Sequence, residues 1–546
     1  MNAKLYHGSS DSSERPIPPR LNLFSHHLLW LIGSSWILPL LLLLTLPAVL
    51  QAQFTFATNN GTITITGYTG PGGDVTIPDT TNGYPVTAIG DYAFYYCVSL
   101  TTITIPNSVI SIGNWAFEYC PSLSNATMGN GVTNIGEGAF FECTTLNSIT
   151  IPDSVISIGN GAFGYCFSLT AITVDTNNTE FSSVDAILFN KNQSKVIRYP
   201  PGHPGASYII PSSVTSIGNG AFSFCTNLTN ITIGANVTSI GDGGFGDCAG
   251  LTSVTIGNSV TTIGVWAFAN CTLLLNLTVP DSVTTIGTFA FYYCTRLTNI
   301  AIGKSVTSIG GMTCVGCSML TAITVDTNNP AYSNVDGVLF DKKKATLVEY
   351  PGGKVGAYAI PDSVTSIGPQ AFQSDDKLTS VMIGNSVTSV GSDAFAFCPS
   401  LTNVMVGSSV INFGDTVFEN CFNLTGVYFR GNAPGLGSYA LRNDNYATAY
   451  YLPGTMGWGA TFGGRPTAVW RPKMETSDGS FGVRTNQFGF TINWASGMTV
   501  VVEASTNPAS PLWSPVSTNI LIGGSSYFGD QQWTNYPERF YRLRSP

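Results

Sequence analysis

Hydrophobic and polar positions recur with a period of 23 residues from about residue 80 to residue 430. An Ile-Gly pair or a close variant marks each repeat. The marks are Ile89, Ile112, Ile135, Ile158, Ile217, Ile240, Ile263, Ile286, Ile309, Ile367, Val390 and Phe413. They are 23 residues apart except across two gaps of 59 and 58. Five residues after the mark stands Phe in most repeats, as at Phe94, Phe117 and Phe140, and eleven residues after it always stands Leu, from Leu100 to Leu424. The fourteenth and sixteenth positions are apolar, as at Ile103 and Ile105, with a polar residue between them. That alternation predicts a strand with two side chains facing one way. A short extended Ser-Val-x-x-Ile-Gly piece and a tight Ala-Phe-x-x-Cys turn complete the unit. One such rung cannot bury its own apolar edge, so neighbours must stack, about 4.8 Å apart.

These motifs carry a resemblance. Leu-x-x-Ile-x-Ile resembles the strand half of a leucine-rich repeat. The longer pattern Val-Thr-Ser-Ile-Gly-x-x-Ala-Phe-x-x-Cys-x-x-Leu-Thr resembles the BspA-like subclass of bacterial surface proteins, over residues 80–430. Ser108 and Ser154 stand where many leucine-rich repeats place Asn. The fold class expected is a mostly β repeat solenoid, a leucine-rich-repeat-like right-handed stack of 23-residue rungs with two hairpin insertions and a small C-terminal β module. The resemblance implies adhesion and matrix binding rather than catalysis.

The two long gaps match each other. Residues 175–209 and 326–359 share Asp-Thr-Asn-Asn, then Leu188-Phe189 against Leu339-Phe340, and end in Tyr199-Pro200 and Tyr350-Pro351. Each predicts a β-hairpin turning near Asn190-Lys191-Asn192 or Asp341-Lys342-Lys343-Lys344. A binding loop and an alternative structural rung are both open readings.

The ends depart from the period. Residues 1–52 hold an apolar stretch, Leu28 to Leu50, followed by Ala52. This predicts a secretory signal cleaved near Ala52, with an uncleaved membrane anchor as the alternative. Either way the positive flank stays inside and the body is exported, to the medium or the cell surface. Residues 53–79 predict a capping hairpin turning at Asn60-Gly61. Residues 431–470 close the array, and 471–546 form a separate β module with strands near Phe488–Ile492 and Thr499–Ala504.

Composition narrows the function. Only 10% of residues are charged and the net charge is −9, against the clustered Lys and Arg that nucleic-acid binding needs. The four histidines are His7, His26, His27 and His203, too few to support His-dependent catalysis or metal binding. No catalytic residue, metal site or cofactor is expected. His203 is expected in an exposed turn. Leu452-Pro453-Gly454-Thr455 resembles a sortase motif, but lacks the following apolar tail and reads as a turn.

Eleven of the twelve cysteines fall eight residues after the mark: Cys97, Cys120, Cys143, Cys166, Cys225, Cys248, Cys271, Cys294, Cys317, Cys398 and Cys421. The column predicts a structural slot filled by buried thiols, with occasional disulfides between rungs as the alternative. Cys314 takes the Phe position of its rung. The outward strand position, fifteen after the mark, holds Thr104, Thr127, Thr150, Thr173, Thr232, Thr255, Thr278 and Thr324, but Ala301, Met382, Met405 and Tyr428 elsewhere. Thr suits an exposed pleated face. Met382, Met405 and Tyr428 predict an apolar strip that binds a ligand or docks the end module. The function expected is an exported, non-enzymatic adhesion protein that presents its repeat surface to protein or glycan ligands. Two alternatives stand beside it. One is a polysaccharide-binding accessory or enzyme-associated protein using Trp494, Trp513 or Trp533, and the other is a structural envelope component.

Overall fold

The structure, a computed structural model, describes residues 53–509 and 512–545. The segment expected to direct export lies outside these. Among the described residues no helix is long and apolar enough to cross a membrane.

Each rung contributes two extended pieces to two parallel sheets. The alternating piece gives Leu100–Ile105, Asn125–Met128, Ser148–Ile151 and Ala171–Val174, bonded side by side. The second gives two-residue strands such as Ser111–Ile112, Asn134–Ile135 and Ser157–Ile158. Register is one rung per step, so Ile149 faces Ala126 and Ile172, and Ile112 faces Ile135. Like therefore stacks on like. Phe94, Phe117 and Phe140 form a buried ladder with ring centroids 4.8 and 5.0 Å apart. Polar columns run beside it: Asp91 accepts the N–H of Asn114, whose own side chain accepts the N–H of Glu137.

The Ala-Phe turn places two residues per rung at positive φ, for example Tyr92 at 56° and Tyr96 at 60°. Bulky residues seldom adopt that conformation. Here the next rung over-determines it. The N–H groups of Tyr92, Phe94 and Tyr96 donate to the carbonyls of Asn114, Ala116 and Glu118 at 2.7–3.0 Å.

The insertions differ from the simple hairpin expected. Each is a three-stranded antiparallel meander: Phe181–Val184, Ile187–Asn190 and Lys195–Arg198 in the first, Tyr332–Val335, Val338–Asp341 and Thr346–Glu349 in the second. The expected turns join the second and third strands. An additional two-residue turn, Asp185-Ala186 or Asp336-Gly337, joins the first two, with positive φ at both residues. The third strand then rejoins the stack, pairing Val196 with Ile217 and Leu347 with Ile367. Tyr199 and Tyr350 replace Phe in the ring ladder, 5.1 Å from Phe222 and 4.8 Å from Phe372.

At the N-terminal end, Phe54–Asn59 and Thr62–Tyr68 form the hairpin, and its second strand is a member of the stack, with Ile65 beside Ile89. Beyond residue 430 the sheet continues through Thr448–Tyr451 to Arg465–Val469. Two small antiparallel sheets follow, built on Gln487–Asn493 and Thr499–Ser505. Phe490, Ile492, Trp494, Val500 and Val502 form their core, to which Leu452 of the array contributes. The basic chain end is neutralised within this module. Arg542 and Arg544 each reach Glu503 at 2.8 Å, and Arg539 reaches Asp530 at 3.1 Å.

Candidate binding surfaces and buried polar positions

The outward threonines lie in register across rungs. Thr104 pairs with Thr127, and Thr150 with Thr173, where the two hydroxyls are 2.9 Å apart. On four successive rungs this column forms the floor of an open groove of about 830 Å³, lined by Thr255, Thr278, Ala301 and Thr324 with Asp281 and Asp326 on its rim. Asp281 accepts the Lys304 N–H at 3.1 Å and meets its ammonium at 3.2 Å. Those contacts hold its carboxyl below the usual range.

Met382, Met405 and Tyr428 occupy one column on adjacent strands. Met382 is exposed, while Met405 and Tyr428 are half-buried. The column does not stop there. Tyr450 follows Tyr428, with rings stacked 4.8 Å apart, and Trp470 lies 5.0 Å from Tyr428 on the side of the end module. Trp494 Nε1 donates to the Trp470 carbonyl at 2.9 Å. Trp494 thus belongs to the module's core. Trp513 is covered by the Arg542 guanidinium at 4.6 Å.

The cysteine column is a hydrogen-bonding column as well as a packing slot. The thiol of Cys248 donates to the carbonyl of Phe222 at 2.9 Å, and those of Cys143 and Cys294 reach Phe117 and Phe268 at 3.2 and 3.1 Å. Each acceptor is the ladder Phe one rung earlier. All twelve cysteines are free, and all but Cys97 are buried. Burial raises the thiols of Cys143, Cys248, Cys271 and Cys294, and that of Cys166 to about 12. Cys314 is buried in its Phe position.

Four buried ionisable groups of the repeat array escaped the sequence reading. Asp375 and Asp444 occupy cysteine positions of their rungs. Asp375 Oδ1 accepts the N–H groups of Lys377 and Leu378, both at 3.0 Å, and Asp444 Oδ1 accepts that of Cys421 at 2.7 Å. Burial pushes them up to about 7 and about 8. Glu349 is also raised to about 8 by burial. Arg198 is the fourth. The empty cysteine position eight residues after Ile367 was the available signal for Asp375.

His203 is half-buried rather than exposed. Its Nδ1 lies 2.9 Å from the Tyr199 hydroxyl and accepts the Gly205 N–H at 3.1 Å. Among the described residues no group of three His, Cys, Asp or Glu is placed to hold a metal ion.

The model of the BspA-type leucine-rich repeat region matches residues 74–195, 205–328 and 352–456, more than half of the chain. Among solved structures, a leucine-rich repeat protein from Bacteroides ovatus ATCC 8483 is 24% identical with a TM-score of 0.37, covering 73% of this chain and 94% of that one. A leucine-rich cell surface protein from Faecalibacterium prausnitzii A2-165 is 26% identical with a TM-score of 0.36, covering 74% and 94%. A leucine-rich repeat protein from Bacteroides capillosus ATCC 29799 is 36% identical over 22% of this chain and 94% of that one, with a TM-score of 0.21. No curated protein matches the chain.

Proposed function

The chain belongs to the BspA-type leucine-rich repeat family, and from that membership we propose that it is an exported, non-enzymatic adhesion protein whose outward strand face binds an extracellular protein or glycan. The observation that carries this reading is the groove over Thr255, Thr278, Ala301 and Thr324. It is open and long, and its hydroxyls are held at fixed spacing by a stacked backbone. Such a surface suits a repetitive or extended partner better than an enclosed small molecule. The apolar run from Leu28 to Leu50, followed by Ala52, supports export, with residues 1–52 as signal, 80–430 as repeats, and 471–546 as an accessory module. Thiols buried against carbonyls suit an exported chain, because oxidants reach them slowly.

The test is an array of matrix proteins and glycans probed with the chain beginning at Gln53. We expect at least one partner, with affinity reduced about tenfold or more by Thr278→Arg at unchanged melting temperature. An array without partners, or full binding by Thr278→Arg, overturns the proposal.

A further inference from the structure

The stack is interrupted at the first insertion, and the interruption leaves polar groups unmatched. On the rung before it, the N–H groups of Gly138, Phe140 and Glu142 donate to the carbonyls of Asn160, Ala162 and Gly164 at 2.8–3.0 Å. One rung on, the equivalent donors are Gly161, Phe163 and Tyr165. The insertion removes the turn that would receive them, and their N–H groups meet no acceptor among the described residues. All three residues line a cleft of about 540 Å³ between this rung and the one bearing Gly220 and Ser223.

Arg198 lines the same cleft from the third strand of the insertion and is 6% exposed. Its Nη1 donates to the Gly220 carbonyl at 2.5 Å and to the Ser223 hydroxyl at 2.8 Å. Nε and Nη2 have no partner. A buried guanidinium with three of its five N–H donors unmatched is costly, and a bound anion would offset that cost. The other charged side chains of the lining are Lys195 and Glu180, which leaves the cleft net positive. Asn160 adds an amide and Tyr165 a phenol to the lining, polar groups of the kind that bond sugar hydroxyls.

The second insertion provides an internal comparison. Glu349 stands where Arg198 stands, and its surroundings are a small apolar cavity with Cys314 and Leu339. The Tyr332 hydroxyl there accepts the N–H of Ile309 at 3.2 Å, whereas the first insertion has Phe181 at that place. The N–H groups of Met312, Cys314 and Gly316, equivalent to those of Gly161, Phe163 and Tyr165, likewise meet no acceptor among the described residues, so what sets the first insertion apart is the Arg198 guanidinium and the larger cleft beside it.

We propose that this cleft binds the carboxylate of an acidic saccharide, held by the Arg198 guanidinium and the N–H groups of Gly161, Phe163 and Tyr165. The fork of Nε and Nη2 matches a carboxylate in two parallel bonds. Both nitrogens are buried in the free protein, so binding through them requires the Arg198 side chain to turn toward the cleft. The site is separate from the strand-face groove, and either can fail without the other.

The chain beginning at Gln53 is titrated with glucuronate, glucose and inorganic sulfate, followed by calorimetry and by melting temperature. Glucuronate is expected to bind and raise the melting temperature, while glucose does neither. Arg198→Gln is expected to abolish the response without lowering the melting temperature of the free protein, because it removes an unmatched charge. Gly161→Asn suits the positive φ of 64° there, and its Cβ meets open space. It is expected to weaken binding about tenfold by filling the cleft beside the intact Arg198. No binding of glucuronate, an equal response to glucose, or an undiminished response in both variants overturns the proposal. Sulfate matching glucuronate overturns the assignment to a saccharide carboxylate.

Discussion

Arg198 and Glu349 are one position filled by a base and by an acid: in the two matching insertions Arg198 pairs across the meander with Leu188, and Glu349 with Leu339. Both are buried. Arg198 lies on a cleft that supplies polar neighbours, whereas Glu349 lies on an apolar cavity and responds by holding its proton.

That proton makes stability depend on pH. Unfolded, Glu349 ionises near its ordinary value of 4.5, and folded near 8. Asp375 and Asp444 rise from 3.8 to about 7 and about 8. Between those limits the folded chain binds more protons than the unfolded one. The contribution of these groups is full below about pH 4 and is lost as pH rises through 8. Glu349→Gln is expected to recover about 2–4 kcal/mol at pH 9 relative to pH 6. Urea unfolding at the two pH values measures it. An unchanged pH dependence in the variant would show that Glu349 is not buried as a neutral acid.

The Gly of the Ile-Gly mark is a matter of space. A Cβ on Gly136 would lie 2.5–2.6 Å from the backbone of Gly113 and Asn114 on the neighbouring rung. Backbone cannot yield as a side-chain end does. Gly136→Ala is therefore expected to cost about 1–3 kcal/mol by prying two rungs apart. Gly161→Ala also adds one methyl, but into open space, so its cost comes from positive φ alone. Equal losses in the two variants would refute the argument from rung spacing.

The repeat was legible because its stacked slots demand the same residue types twelve times, so Leu100 and Leu424 announce one another at a distance of 324 residues. The cysteine column was legible as a slot, but its acceptor was not, since a carbonyl leaves no mark in sequence. The meanders were half legible. Asp336-Gly337 carries the residues a tight hairpin turn prefers, yet its partner Asp185-Ala186 does not, and the shared turn went unread. Nothing in the sequence around Arg198 marks it as buried. Only the interruption of the stack, a property of three-dimensional register, gives it a cleft.

The apolar strip divides into two parts with different surroundings. Met382 is open, whereas Tyr428 contacts Trp470, whose carbonyl anchors Trp494 in the end module. Tyr428→Ala is expected to loosen that module, so that limited proteolysis cleaves near Trp470 sooner. Met405→Thr is expected to leave the cleavage rate alone. Should Met405→Thr accelerate cleavage as much as Tyr428→Ala, the whole strip would be acting as the docking face.

The cysteines test whether a column of identical residues is held by volume or by hydrogen bonds. The Cys248 thiol sits 2.9 Å from the Phe222 carbonyl, which also accepts the Cys225 N–H at 3.2 Å. A serine hydroxyl at this position keeps an acceptor within reach, while alanine removes the donor and leaves a small void. If the hydrogen bond matters, Cys248→Ser should cost about 1 kcal/mol and Cys248→Ala about 1–3 kcal/mol. If the position is purely a packing slot, the order reverses, because a buried hydroxyl then lacks a partner. Thiol reagents supply the second measurement. Burial raises the Cys248 thiol well above its usual 9.0, so little thiolate forms. Labelling of the folded chain should be slow at Cys248 and faster at Cys97, the one column member that is partly exposed. Fast labelling across the whole column would mean that the rungs open individually, and the carbonyl bonds would then contribute little to holding them shut.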